Sequence, residues 1–284
     1  MANLKDDDYK LTQNDMIDAI RRSGYLLEAE LSEILSKTGF FVESNRVIKD
    51  PVTGKSREID LIAEYDTIFS ERKMRDRVIA STKFIIEAKN NPHPMVLMTN
   101  LKWNPSIELT LTLKEVITET EGVHHSLEDG FFGRLIGFGT IEETNIYTQY
   151  CTFRKKKDSG KDELMAWHPD EFHEGLMKII QYCDEEMEEW EDSEPDDYLR
   201  DFLYLPVIVL GGDLYELKTE ENNQQPILQK VDSSKLLYNY HKDDVPRSGL
   251  IYVVTRHGFS DFIKKMLDIE QTIEEEMRSK ANRH

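Results

Sequence analysis

Asp50-Pro51-Val52-Thr53-Gly54 separates two strand-like runs, Phe40 to Ile48 and Arg57 to Tyr65, and places Pro and Gly where turn geometry wants them. Together the three segments predict an antiparallel hairpin. A helix is expected before it, from an Asn14 cap to about Thr38, because Ile17, Ile20, Leu27, Leu31, Ile34 and Leu35 follow helical spacing. Gly39 marks its stop, and Gly24 a break between two helices. After the hairpin, Thr82 to Ala88 reads as a third strand, rich in β-branched and aromatic residues.

The rest of the chain is less regular. Residues 92–150 hold three prolines and five glycines, with short strand-like runs at Ile107–Leu113, Leu135–Phe138 and Ile146–Phe153. Asp170 to Trp190 is expected to be helical, and Leu203–Leu210 and Leu250–Thr255 are apolar enough for buried strands. Gly211-Gly212-Asp213 turns into Leu214–Leu217, and Phe259 to about Lys280 is a closing amphipathic helix with Phe262, Met266, Ile269 and Ile273 on one face. A helix and hairpin first, then further strands with flanking helices, predict a mixed α/β sheet.

The 284 residues are 39% hydrophobic, enough for a core, which excludes wholesale disorder. No apolar stretch approaches the length of a membrane span. The start, Met-Ala-Asn-Leu-Lys-Asp-Asp-Asp, has no secretory apolar segment, so a cytoplasmic protein is the default expectation. Cys151 and Cys183 are expected to be reduced thiols and are too few for a Cys-rich zinc site. Net charge is −19, which argues against a protein that coats nucleic acid. The charge is uneven: residues 1–100 carry 15 Lys+Arg against 17 Asp+Glu, whereas Asp184 to Asp197 holds ten acids and no base. That acidic run reads first as a solvated helix end and loop.

Three segments carry the chemistry. In the third strand, Glu87 and Lys89 share a face with Ile85, while Phe84, Ile86 and Ala88 share the other, so an acid and an amine emerge together at the end of an apolar strand. Asp60 interrupts the apolar run Ile59, Leu61, Ile62, and charges are rarely placed in buried strands unless paired or bound to metal. Glu28 has Leu31 and Leu35 at i+3 and i+7, which turns it toward the sheet. Three carboxylates aimed at one place repel unless a cation joins them, and oxygen ligands of this kind suit Mg²⁺ or Mn²⁺. The bland alternatives are an edge ion pair for Glu87 and Lys89, and pairing of Asp60 with Arg57 or Arg46.

At these residues the sequence resembles the PD-(D/E)XK, or restriction-endonuclease-like, superfamily, whose helix Glu, strand Asp and Glu-X-Lys map to Glu28, Asp60 and Glu87-Ala88-Lys89. The resemblance covers about residues 15–95. It departs in an extra connection at 67–81 and in the absence of a clear Gln-x-x-x-Tyr motif. It implies one restriction-endonuclease-like domain over residues 1–284, with an insertion at about 92–165 after the Glu-X-Lys strand and closing helices and strands in 166–284. It further implies a Mg²⁺- or Mn²⁺-dependent nuclease hydrolysing phosphodiesters, of DNA ahead of RNA, in bacterial restriction or phage defence. Asp60, Glu87 and the Ala88 carbonyl would hold the metal. Lys89 would position or deprotonate the attacking water or stabilise developing charge, and Glu28 would hold a second metal or a metal-bound water. Because such nucleases often act in pairs, the resemblance leaves room for a homodimer or a protein partner. The rival expectation is a non-catalytic scaffold or subunit acting through a partner.

Other motifs are weaker. The basic segments Glu71–Arg77 and Arg154–Lys157 could touch phosphates or be solvated loops. His124-His125, His168 and His173 lack partners at zinc-ligand spacing, and Gly137-Phe138-Gly139 is too short for a phosphate loop.

Overall fold

The computed structural model describes residues 11–49, 54–65, 78–101, 113–118, 123–124, 145–156, 163–191, 198–219, 225–242, 244–280 and 282–283. In chain order the elements are α1 (Gln13–Ser23), α2 (Tyr25–Lys37), β1 (Phe41–Lys49), β2 (Ser56–Glu64), β3 (Val78–Lys89), β4 (Met95–Asn100), β5 (Lys114–Ile117), β6 (Val123–His124), β7 (Ile146–Lys155) and β8 (Leu164–Trp167). They continue with α3 (Asp170–Glu191), β9 (Leu199–Leu210), β10 (Leu214–Lys218), β11 (Ile227–Val231), β12 (Ser233–Lys242), β13 (Val245–Thr255), α4 (Phe259–Lys280) and β14 (Asn282–Arg283). Among the described residues, no helix is long and apolar enough to cross a membrane.

Twelve strands form one mixed sheet in the order β1-β2-β3-β9-β13-β12-β7-β4-β10-β11, with β5 on β9 and β8 on β7. β1 and β2 form the expected antiparallel hairpin, from Phe41 opposite Glu64 to Lys49 opposite Ser56; the turn residues 50–53 lie outside the described residues. β3 runs antiparallel to β2 and parallel to β9 along its whole length, from Val78 opposite Leu199 to Lys89 opposite Leu210. A parallel pair needs a crossover, and the path from β3 to β9 returns through α3.

Alternation along the central strands builds two cores. Phe84, Ile86, Leu203, Leu205, Val207, Val209, Tyr252 and Val254 face α2 and α4, joining Leu27, Leu31, Leu35, Phe262, Met266 and Ile273. Ile85, Tyr204, Ile208, Leu210, Ile251 and Val253 face the other way, onto Phe172, Leu176, Ile179, Ile180 and Cys183 of α3. The sheet is thus covered on both faces, which is why its central strands read as continuous apolar runs. α3 packs so closely that a Cβ on Gly249 of β13 would stand 2.2 Å from Ile180 Cδ1.

The break expected at Gly24 is present: Gly24 adopts a left-handed φ of 94°, open to glycine at little strain, and ends α1 as it begins α2. Other expectations need correction. The cap is Thr12 rather than Asn14, in a reciprocal box with Asp15. Met16, Ile17 and Ile20 of α1 remain exposed, so the core helix is α2 alone. β3 begins four residues earlier than the pattern suggested, because Val78, Ile79 and Ala80 are buried against β9.

The acidic run 184–197 is not simply a solvated end. Asp184 is buried and accepts from Lys114 Nζ at 2.6 Å and from the Tyr240 hydroxyl. Glu186 accepts from Lys83 at 2.7 Å, and Glu188 from Lys242 at 2.7 Å. The acids through Glu188 therefore include counter-charges to lysines on β3, β5 and β12; residues 192–197 lie outside the described residues. Cys151 and Cys183 are buried free thiols, and burial pushes the Cys183 thiol up. The runs Ile107–Leu113 and Leu135–Phe138, the basic segment 71–77 and Gly137–Gly139 fall wholly or mostly outside the described residues.

Candidate active site

The candidate residues meet where β2 and β3 lie side by side. Leu61 pairs with Ile86, which sets Asp60 beside Glu87 one step further along. The backbone N–H of Ala88 donates to Asp60 Oδ2 at 2.7 Å, so one carboxylate oxygen is fixed by the sheet itself. Lys89 Nζ donates to Glu87 Oε1 at 2.8 Å, the same-face pair that strand alternation requires.

Glu28 approaches from α2. The Gly24 kink is clamped to the residue after Lys89: the Asn90 side-chain amide donates to the carbonyls of Arg21 and Arg22. Glu28 lies in the first turn beyond the kink, its N–H bonded to Gly24 O at 3.2 Å. It is half-buried and reaches the other carboxylates through their field. Burial raises its pKa, the Glu87 charge adds to the rise, and Lys178 opposes it.

Asp60 is the more perturbed acid. Burial first, and then the neighbouring Glu87 charge, push its carboxyl up to about 6; the Ala88 N–H and Lys178 pull the other way. Asp60 pairs with neither Arg57 nor Arg46: Arg57 lies 3.9 Å from Glu174 and Arg46 bonds Glu43.

Sequence reasoning missed Lys178. It projects from the middle of α3, with its ammonium in contact with Glu87 Oε2 and donating to the Glu58 carbonyl, 4.0 Å from Asp60 Oδ1. A signal existed. Glu171, Glu174, Gly175 and Lys178 share one stripe of α3, and a glycine inside a helix asks for a packing reason. That reason is the site, because a Cβ on Gly175 would stand 3.0 Å from Lys89 Cε and 3.2 Å from Glu87 Cγ. A cleft of about 380 Å³ opens here, lined by Arg57, Glu58, Glu87, Lys89 and the α3 stripe.

The donor set is hard oxygen, of the kind that suits Mg²⁺ or Mn²⁺. Among the described residues, no group of three or more His, Cys, Asp or Glu is arranged to hold a metal ion. The arrangement is instead two carboxylates, Asp60 and Glu87, already sharing an ammonium. Such a pair suits a cation chemically, and Asp60, Glu87 and the Ala88 carbonyl are the groups that would hold one. His168 and His173 are engaged elsewhere: His173 bonds the Tyr238 hydroxyl at 2.7 Å and the His168 ring packs on Tyr150.

No family model, curated protein or solved structure matches the chain.

Proposed function

We propose that the chain is a metal-dependent phosphodiesterase acting on nucleic acid, built on a restriction-endonuclease-like core. The observation that carries this reading is the junction of Asp60, held in the middle of β2 by the Ala88 N–H, with the Glu87–Lys89 pair at the end of β3, beside a cleft that Glu87 and Lys89 line. The order α2, β1, β2, β3, α3, β9, with β9 parallel to β3, supports the fold the resemblance implies. In that frame residues from about 92 to 165 form an insertion between β3 and α3.

A bound Mg²⁺ or Mn²⁺ would supply Lewis acidity and an activated water. The chain's own groups then have separate tasks. Asp60 and Glu87, with the Ala88 carbonyl, would hold the cation, and the Ala88 N–H keeps Asp60 aimed. Lys89, restrained by Glu87, would orient the water and neutralise charge growing on the phosphate as an ammonium, or deprotonate the water as a neutral amine. Glu28, whose carboxyl is pushed up by burial and then by the Glu87 charge, would hold a water or a second cation. Glu58, Glu171 and Glu174 line the cleft with Glu87, so an approaching phosphate meets more acids than bases until a cation is bound. DNA is the preferred substrate, in a cytoplasmic role such as restriction or phage defence.

The test compares wild type with Lys89→Ala on plasmid, linear and single-stranded DNA and on RNA, with Mg²⁺, Mn²⁺ or EDTA. Metal-dependent cleavage lost in the variant is the expected result. Absence of cleavage on every substrate, with no Mn²⁺ binding that depends on Asp60, would refute the reading.

One observation favours a second reading. The Lys178 ammonium already balances Glu87 and Asp60, as it would in a scaffold that needs no metal. Calorimetric titration with Mn²⁺ separates the two, since a scaffold need not bind it.

A further inference from the structure

The two strand carboxylates each spend one oxygen on a fixed donor and turn the other toward the same cation. Asp60 Oδ2 takes the Ala88 N–H at 2.7 Å, and Glu87 Oε1 takes Lys89 Nζ at 2.8 Å. Of the oxygens left over, Glu87 Oε2 touches Lys178 Nζ and Asp60 Oδ1 lies 4.0 Å from it. Glu87 Oε2 is fully buried and makes no hydrogen bond among the described residues, so ion contact with Lys178 is what balances it. Lys178 itself is only 10% exposed. A metal bridging these two oxygens would stand where the ammonium stands.

We propose that Lys178 is an internal counter-ion that competes with the divalent metal for Asp60 and Glu87, so that metal loads only as the ammonium withdraws; this rests on the nuclease reading above. An ammonium and a divalent cation cannot share two oxygens without strong repulsion in a partly buried site. The lysine stem is long and flexible, and an exit is at hand. Glu174 lies one turn back on α3, the spacing at which helical Glu–Lys pairs form, and the cleft opens beside it. The ammonium thus holds the carboxylates in place without metal, weakens metal affinity, and on leaving adds a positive charge to the acid-lined cleft where a phosphate would enter.

The experiment is Mn²⁺ titration of the full chain by calorimetry, for wild type, Lys178→Gln, Lys178→Arg and the double variant Asp60→Asn/Lys178→Gln, with folding checked by circular dichroism. Lys178→Gln should bind Mn²⁺ at least about tenfold more tightly than wild type, the size expected for removing one close competing charge. Lys178→Arg, which keeps the charge, should stay within roughly threefold of wild type, and the double variant should lose the gain. Equal or weaker binding by folded Lys178→Gln overturns the proposal; if wild type still binds Mn²⁺ through Asp60, the nuclease reading survives that result. No Mn²⁺ binding by any variant overturns both. A second measurement needs no variant: Mn²⁺ should increase labelling of Lys178 in wild type by an amine-reactive reagent, read by mass spectrometry. Unchanged labelling at saturating Mn²⁺ also overturns the proposal.

Discussion

Asp60→Asn should make the metal-free protein more stable at neutral pH. Burial and the Glu87 charge lift the Asp60 carboxyl from its ordinary 3.8 to about 6. A folded carboxyl that holds its proton more tightly than the unfolded chain does contributes stability at low pH. That contribution is lost as pH rises from about 4 to about 6. Above this window the buried charge costs about 3 kcal/mol. Asn resembles the protonated acid, keeps an oxygen to accept from the Ala88 N–H, and carries no charge. The variant should therefore exceed wild type by up to about 3 kcal/mol at pH 8, or roughly 6 °C in Tm for a chain of this size. Near pH 4 the advantage should shrink below about 1 kcal/mol. Urea unfolding of both proteins in EDTA at the two pH values reads the difference. An Asn variant less stable than wild type at pH 8, or a difference that does not change with pH, would refute this account of Asp60.

Three other substitutions test the packing around the site. Gly175→Ala should slow cleavage at least tenfold, to order of magnitude, because the new Cβ crowds Lys89 and Glu87, while the urea midpoint should move by less than about 1 kcal/mol; an unchanged initial rate would show that Gly175 does not set their spacing. Gly249→Ala should cost about 1–3 kcal/mol by driving a methyl into Ile180, and adding Ile180→Val should recover part of it in the same unfolding assay. Lys114→Met should cost about 3–5 kcal/mol by leaving Asp184 buried without its close cation, Arg247 remaining 3.7 Å away, whereas Lys114→Met with Asp184→Leu should recover most of that loss. If the double variant is no better than the single one, the ion pair is not what Lys114 contributes.

Local periodicity made the hairpin, the third strand and the helices near 170–191 and 259–280 legible, because each carries its own period of two or of 3.6 residues. Asp60, Glu87 and Lys89 were legible for the same reason: a charge inside an apolar strand stands out against a pattern its neighbours define. β11 went unread because its residues are mostly exposed and no apolar alternation marks them. β12 alternates well, with Ser234, Leu236, Tyr238 and Tyr240 buried, yet serine and tyrosine blur the apolar signal.

What lay beyond the sequence was which elements meet. Nothing local says that β9 joins β3 along its full length, or that the acids of α3 answer lysines on β3, β5 and β12. Lys178 is the clearest case. One lysine among the many charges of an amphipathic helix becomes the partner of Glu87 and the near neighbour of Asp60 because Gly175 lets α3 close on the end of β3. The residue types and their spacing along the chain determined the strand face that carries Asp60, Glu87 and Lys89. Only packing of the distant α3 decided the cation those carboxylates share, because an electrostatic contact depends on distance through space, and the chain brings residues far apart in sequence within 4.0 Å of each other.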